Sequence, residues 1–428
     1  MLGVPTALVP RAWRPALKIR FLIANAYATG GTIRTTINSA NALAGRGHDV
    51  EVVSVYKNRN QPAFTVDERV RMRPLVDRSP ATREAVEADR SLRRTVTAPL
   101  VKFAEERSSR LIHPLDFRYP QFSVRSDVEI MRFLRSVDDG VLIGTRAGLN
   151  LAIARWAKPS VVRIGQEHLH LGLYKGDLVE AIKRYYPRLD AYVTLTSGDA
   201  DRYRELLGPQ ARLLTIPNAV PQIKDVQSNC DSNVVLAAGR LSRQKGFDRM
   251  IDAYQRVADK HPEWELRIFG AGPLQDDLQK QIDDANLGSQ VKLMGFTPRL
   301  ADEMAAASIF LMTSRFEGFP MVLLEAMKCG LPVVSYDLSN GPRDLITDGV
   351  DGVVVPNRKA PALAAAVIDL MEDDQRRAAM GAAAVKKAAE YDIETMATRW
   401  ETVFDDLIGA RRKQRARSTH ARSGSATR

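Results

Sequence analysis

The chain has 428 residues, of which 45% are hydrophobic and 26% are charged. This length favours two domains, and the composition is that of a soluble globular protein. The two cysteines, Cys230 and Cys329, are too few and too far apart for a disulfide framework or a zinc site. This cysteine usage favours a reducing cytoplasm. No apolar run approaches the roughly 20 residues of a transmembrane helix, so the chain is not expected to span a membrane.

The ends of the chain differ from its middle in charge and pattern. Residues 1–17 contain three prolines and two arginines, which predicts a disordered leader and not a secretion signal. The net charge is +11, and residues 411–428 contain seven basic residues and no acidic one. The folded part is therefore only mildly basic, which argues against a specific nucleic-acid partner. The tail lacks an apolar pattern and is predicted to be disordered; it either solubilises the chain end or binds anionic lipid at the inner face of the cell membrane.

Strand-like apolar runs alternate with helical patterns over most of the chain, as in parallel sheets covered by helices. A first Rossmann-like domain is predicted over residues 18–220, on the side of the acceptor. Its predicted strands are 19–24, 49–55, 141–144, 161–164, 191–195 and 213–216. The pattern lapses over residues 79–123, a charged, Arg-rich insertion. We interpret it as a helical hairpin covering the domain, with an acceptor-facing or membrane-facing surface as the alternative.

A polar linker over residues 222–232 precedes a second Rossmann-like domain, which is predicted over residues 228–390. Its predicted strands are 234–238, 265–269, 291–294, 309–313, 332–335 and 352–355. Residues 391–410 are predicted to form a last helix that begins at Asp392. One face of this helix is apolar, so we expect it to pack on the first domain. The residues of that face are Ile393, Met396, Trp400, Val403 and Leu407.

The strongest local signal is the segment 314–327, which follows a predicted strand. Pro320 is typical of a helix start and Gly330 of the position just past a helix end. The amino end of such a helix attracts phosphate through its unpaired N–H groups. Glu325 is about five residues further, roughly 7 Å along the axis, and is suited to accept the hydroxyls of a ribose. Glu317 lies in the turn and is suited to hydroxyls on the other side of a diphosphate.

Three further clusters follow predicted strands, where open parallel sheets bind their ligands. Arg240 and Lys245 follow the first strand of the second domain, and two cations there stabilise a leaving diphosphate; taken alone, they are equally typical of a solvated charge pair. Gly30 and Gly31 follow the first strand of the chain and allow the backbone to approach a ligand. His168 follows the strand at 161–164 and is predicted to face the crevice between the domains.

In their order and spacing these motifs resemble the large retaining glycosyltransferase family 4, which has the GT-B fold. The features are the glycine pair, Gln166-Glu167-His168, Ile216-Pro217-Asn218, Gly-Arg-Leu-x-x-x-Lys-Gly at 239–246 and Glu-x7-Glu at 317–325. The resemblance implies two Rossmann-like domains facing each other across a cleft. It implies that Arg240 and Lys245 bind the donor diphosphate, Glu325 the ribose and Glu317 the donor sugar, with His168 beside the reacting centre.

The site set that follows from the resemblance has two parts. The expected catalytic residues are His168, Arg240, Lys245 and Glu317. The expected donor-binding residues are Gly30, Gly31, Gly239, Arg240, Lys245, Glu317, Gly318, Phe319 and Glu325. Residues 339–344 and the run before His168 resemble bacterial enzymes that glycosylate teichoic acids and related envelope polymers. We therefore expect a UDP-sugar donor and a polymeric or lipid-linked acceptor. At position 344 the chain has aspartate where many relatives have glutamate, and this difference affects the contacts expected with the donor sugar.

Several alternatives remain open on the residues. A dinucleotide oxidoreductase is disfavoured because Gln275 stands where the third glycine of the Gly270-Ala271-Gly272 motif belongs. A nucleotide-sugar epimerase, a phosphorylase that needs pyridoxal phosphate and a non-catalytic sugar-nucleotide-binding subunit would share the fold. Asp199 and Asp201 have the spacing of a metal site, but acids there also suit a helix start. We expect no metal and no cofactor, with the nucleotide-sugar as co-substrate.

Overall fold

Two parallel sheets, one in each half of the chain, form the framework of the protein. The structure is a computed structural model, and it describes residues 15–82, 84, 92–220, 226–338, 341–356 and 359–423. Residues 1–14 of the predicted leader, residues 83 and 85–91 of the predicted insertion, residues 222–225 of the predicted linker and the last five residues of the tail lie outside this description. The predicted α/β fold class is confirmed.

The first sheet has seven strands in the order β3-β2-β1-β4-β5-β6-β7, and all neighbours are parallel. The strands are β1 Lys18–Ile23, β2 Asp49–Lys57, β3 Arg71–Asp77, β4 Val141–Gly144, β5 Val162–Gln166, β6 Ala191–Thr194 and β7 Leu213–Thr215. Strand β3 is not among the predicted strands. It alternates exposed arginines with partly buried residues and contains Pro74, which the edge of a sheet tolerates.

Helices cover both faces of this sheet, because its strands are buried on both sides. They are α1 Gly31–Gly45, α2 Leu92–Glu106, α3 Val124–Ser136, α4 Ala147–Trp156, α5 Asp177–Tyr185 and α6 Ser197–Leu207. Local signals set their starts. Ser123 caps α3 through a capping box with Ser126, and the Thr196 hydroxyl accepts a bond from the Asp199 N–H at the start of α6.

The second sheet has six strands in the order β10-β9-β8-β11-β12-β13, again all parallel. The strands are β8 Val234–Ala238, β9 Glu265–Phe269, β10 Val291–Gly295, β11 Ile309–Met312, β12 Val333–Tyr336 and β13 Gly352–Val355. The helices are α7 Phe247–Lys260, α8 Gln275–Asp284, α9 Leu300–Ala305, α10 Met321–Lys328, α11 Pro342–Leu345, α12 Ala360–Met371 and α13 Asp374–Ala389. Apolar clusters lie on both faces of this sheet as well.

The last helix, α14 Ile393–Ser423, crosses from the second domain back to the first. The Asp392 carboxylate accepts a bond from the Glu394 N–H at its start, at 2.6 Å. Its apolar face packs in the core of the first domain, where Trp400 and Phe404 are buried.

The structure differs here from the predicted disordered tail, because helix α14 continues through residues 411–423. The Arg411 guanidinium bonds the Asp190 carboxylate at 2.5 Å and the Pro159 carbonyl at 2.7 Å, which anchors this part of the helix to the first domain. The residues that follow include arginine, alanine and glutamine, which are strong helix formers.

Candidate active site

Loops from both domains meet at one crevice. In each sheet the strand order reverses beside the first strand of the domain, β1 or β8, and ligands of open parallel sheets bind at the carboxyl ends of the strands at that point. The two domains approach closely there. A Cβ added to Gly318 of the second domain would lie 2.5 Å from the carbonyl oxygen of His168 in the first. Only glycine therefore fits at position 318.

Two loops build the second-domain side of the crevice, residues 239–246 after β8 and residues 313–320 after β11. Gly246 has φ +66°, and a Cβ there would lie 2.3 Å from the Thr313 carbonyl oxygen, so the two loops pack main chain against main chain. The Thr313 hydroxyl donates to the Gly246 carbonyl at 2.8 Å. The Arg315 N–H donates to the Gln244 carbonyl at 2.7 Å. The loops are therefore joined into one unit by main-chain contacts and hydrogen bonds.

Lys245 and Glu317 are brought together by this unit. The Lys245 Nζ lies 2.7 Å from Glu317 Oε1, and the Ser314 hydroxyl donates to the same oxygen at 2.6 Å. The Glu317 side chain is buried, so the pair is shielded from solvent. Arg240, from the same loop as Lys245, is exposed and lines the cavity of the first domain. Of the two predicted cations, Lys245 therefore contacts Glu317, whereas Arg240 reaches the wall of the first-domain cavity.

Helix α10 places Glu325 at the back of the crevice. The helix begins at Met321 with Pro320 as its N-cap, one residue later than the sequence predicts. Glu325 is buried, and its Oε1 accepts a bond at 2.8 Å from Nη1 of Arg34, on α1 of the first domain. Burial raises the pKa of Glu325, while Arg34 and Lys245 act in the opposite direction. Phe319 does not line the crevice with its ring, which is buried against Tyr391.

The first-domain side is a cavity of about 450 Å³. Gly30, Gly31 and His168 line it, as the sequence predicts, and Gly30 is the N-cap of helix α1. Both ring nitrogens of His168 are shielded from solvent and lack a hydrogen-bond partner among the described residues. Burial and the nearby Arg146 lower the pKa of His168 to about 3. The imidazole is therefore neutral at physiological pH and available to a ligand.

Glu167, which precedes His168 in the chain, is held in a buried hydrogen-bond network. Its buried carboxyl group contacts the hydroxyls of Tyr174 at 2.5 Å and Tyr186 at 2.8 Å, and accepts a bond from the Asn150 amide at 3.0 Å. Burial raises the pKa of Glu167 to about 8, so the group holds a proton at neutral pH. The sequence analysis quoted this residue as part of a motif but assigned it no role.

Arg118 and Arg146 also line the cavity and are absent from the predicted site. Arg146 is the N-cap of α4 at the carboxyl end of β4, a position that the strand and helix boundaries could have indicated. Arg118 lies in the insertion over residues 79–123, which has no strand pattern to place it. Phe117 and Gln121 of this insertion line the cavity too. The insertion thus forms part of the cavity wall, and its acceptor-facing or membrane-facing role stays a prediction.

Asp199 and Asp201 do not converge on one point. The Asp199 Oδ1 accepts the Leu171 N–H at 2.9 Å, while Asp201 pairs with Arg204 at 2.5 Å. Burial raises the pKa of Asp199 to about 6. In the part of the chain that the structure describes, no group of three histidine, cysteine or acidic side chains is arranged to hold a metal ion.

Comparison with known proteins agrees with this geometry. Residues 221–387 match the family model Glycosyl transferases group 1. The match lies in the second half of the chain and includes the loops that carry Lys245 and Glu317. The chain is 37% identical over 398 residues to an exopolysaccharide phosphotransferase of Streptomyces coelicolor. The aligned region covers 92% of this chain and 41% of that protein. The chain is 30% identical over 242 residues to the poly(glycerol-phosphate) alpha-glucosyltransferase of Bacillus subtilis, covering 55% of this chain and 36% of that protein. The chain thus spans less than half the length of either relative.

The fold is that of GT-B glycosyltransferases. The structure of S. aureus TarM, in a complex with UDP, superposes with a TM-score of 0.71 at 15% sequence identity, covering 91% of this chain and 100% of TarM. None of the helices in the described part of the chain is long and apolar enough to cross a membrane.

Proposed function

We propose that the chain is a retaining glycosyltransferase of family 4 that moves a sugar from a UDP-sugar to a hydroxyl group of a bacterial envelope polysaccharide, teichoic acid or glycolipid. The observation that carries the proposal is the convergence of Lys245, Glu317 and Glu325 on one crevice opposite His168. These are the groups that a nucleotide, its diphosphate and its sugar require at neighbouring positions.

The donor is proposed to lie along helix α10. Glu325 accepts hydroxyls of the ribose, and the diphosphate lies at the amino end of the helix with Lys245 and Arg240 beside it. Glu317 accepts hydroxyls of the transferred sugar. The Lys245–Glu317 distance of 2.7 Å supports this order, because phosphate and sugar adjoin in such a donor. TarM, the GT-B structure of the comparison, contains UDP.

In the proposed reaction the acceptor hydroxyl attacks the anomeric carbon from the face that the diphosphate leaves. The bond from that carbon to the phosphate oxygen breaks, a bond to the acceptor oxygen forms, and the departing oxygen takes the acceptor proton. Lys245, Arg240 and the amino end of α10 stabilise the growing negative charge. His168 is neutral and serves as a hydrogen-bond partner at the reacting centre, not as a cation.

The acceptor class is inferred from the relatives. One carries the name of an alpha-glucosyltransferase acting on poly(glycerol-phosphate), and another that of an exopolysaccharide enzyme. An alpha product is what retention yields from an alpha-linked donor. No metal ion or cofactor takes part in the proposed mechanism, since the cations of the chain neutralise the diphosphate.

The experiment is to incubate the purified chain with UDP-glucose, UDP-N-acetylglucosamine or GDP-mannose and a glycerol-phosphate oligomer, with and without EDTA. We expect transfer from one UDP-sugar, an alpha-anomeric product by NMR and the same rate in EDTA. A beta-linked product would exclude retention, and complete loss of rate in EDTA would exclude metal independence. Conversion of the donor to an epimer without acceptor would favour the epimerase alternative.

A further inference from the structure

The first-domain cavity holds more positive charge than a donor accounts for. Arg118, Arg146 and Arg240 all line it, from the insertion, from the end of β4 and from the second domain. Partial burial and the charges of Arg146 and Arg240 lower the pKa of Arg118, so both of these arginines are close enough to repel it. Such an arrangement is unfavourable unless an anion joins it.

The Asp116 carboxylate contacts this cluster, and both of its oxygens already accept hydrogen bonds. Asp116 Oδ2 accepts the Gly148 N–H at 2.8 Å, and its Oδ1 accepts the Arg118 N–H at 2.9 Å. The Arg146 Nε lies 3.2 Å from the same Oδ1. Among the described residues, the Arg118 side chain has no carboxylate partner. Glu167, the other acidic residue of the cavity wall, is protonated at neutral pH and bonded to tyrosines.

The donor does not need all three cations. Under the proposed function Arg240, which comes from the second domain and reaches the cavity wall, binds the diphosphate together with Lys245. Arg118 and Arg146 remain on the first-domain side, beside His168, where the acceptor must enter. A guanidinium fork binds phosphate oxygens in pairs, and a phosphate offers enough oxygens for two such forks.

We propose that Arg118 and Arg146 bind a phosphate group of the acceptor, and that the acceptor is a hydroxyl compound whose repeating unit carries a phosphodiester. This assignment of the acceptor rests on the proposed function. Arg146 is held in place by Asp116, which also joins the insertion to the start of α4. Asp116 is thus a positioning residue, and the insertion is the segment that makes the cavity selective for an anion.

The test is calorimetric binding of a synthetic trimer of glycerol phosphate and of neutral triglycerol, in the wild-type chain and in Arg118→Ala. Arg118 is exposed and pairs with no carboxylate, so its loss leaves the fold intact. We expect the Kd for the trimer to rise about ten- to a hundredfold, the loss of a charge-assisted hydrogen bond. Arg118→Lys keeps the charge without the fork and should fall in between. Triglycerol binding should not change in either variant.

Arg110→Ala is the matched control, since Arg110 is exposed in the same segment and does not line the cavity. Absence of trimer binding in the wild type, or equal Kd values in wild type and Arg118→Ala, would overturn the proposal. An equal loss of UDP binding in Arg118→Ala would assign the cluster to the donor instead. Arg118-dependent trimer binding without transfer from any UDP-sugar would contradict the proposed function and leave the phosphate site standing.

Discussion

The two sides of the crevice treat charge differently. On the second-domain side the ionisable groups are paired: Lys245 bonds Glu317, and Glu325 bonds Arg34. On the first-domain side the ring nitrogens of His168 find no hydrogen-bond partner in the described part of the chain, and Arg118 faces two other cations. A paired network holds its shape before a ligand arrives, whereas unpaired groups require one. Under the proposed function, the donor site is preorganised, whereas the acceptor supplies the partners that the groups of its own site lack.

The largest effect is expected at Lys245, on the second-domain side. Lys245→Ala removes the cation beside the proposed leaving group and leaves the buried Glu317 without a charge partner. We expect kcat to fall about a hundred- to a thousandfold, as for other groups that stabilise transition-state charge. Steady-state sugar transfer at saturating donor measures it. Arg243→Ala, an exposed arginine of the same loop, is the matched control and should behave as wild type. A folded Lys245→Ala variant with wild-type kcat would remove Lys245 from the mechanism.

Substitution of Glu325 separates donor binding from the chemical step. Glu325→Ala removes a buried acceptor from the proposed ribose position, so we expect the Kd for UDP to rise about tenfold. Because the ribose is remote from the reacting carbon, kcat at saturating donor should change much less. Titration calorimetry with UDP gives the first quantity and initial rates give the second. A large loss of kcat with unchanged UDP binding would contradict the assignment.

The sequence predicted the second-domain side well for a physical reason. Lys245, Glu317 and Glu325 lie in two continuous segments, each directly after a strand, and parallel strands bring their carboxyl ends to one edge. The pairing of Glu325 with Arg34 could not be predicted in this way. It depends on how closely the two domains approach, which no local pattern reports.

The first-domain side was predicted only in part. Gly30, Gly31 and His168 follow strands and were found. Arg118 was not, because its segment has no periodic pattern and reaches the cavity through Asp116 hydrogen bonds. The ring of Phe319, whose motif is read as donor-binding, packs into the core against Tyr391, and its place in the donor site stays a prediction.

The raised pKa of the buried Glu167 predicts that the stability of the protein depends on pH. Glu167 keeps its proton to about pH 8 in the folded chain, whereas the unfolded carboxyl group loses it near pH 4.5. Between these values the folded state binds more protons, so the free energy of unfolding falls as the pH rises. Glu167→Gln should reduce this fall by at least about 1.4 kcal/mol, the equivalent of one pKa unit. Chemical denaturation at pH 5 and pH 8 measures it, with the exposed Glu205→Gln as control. Equal falls in wild type and Glu167→Gln would show that Glu167 is ionised at neutral pH.

The smallest effect is expected at the contact that joins the two sides. Arg34 is 39% exposed, so its ion pair with Glu325 is screened by solvent and worth about 0.2 to 1 kcal/mol. Arg34→Ala should therefore shift the balance between open and closed domains by no more than about fivefold, seen as a slightly larger radius of gyration in X-ray scattering without ligand. The Ser197 hydroxyl also bonds Asp344 across the crevice, at 2.6 Å. If the scattering curve does not change, helix α14, this bond and the contact of Gly318 with His168 hold the domains together, and Arg34 serves only to oppose the effect of burial on the pKa of Glu325.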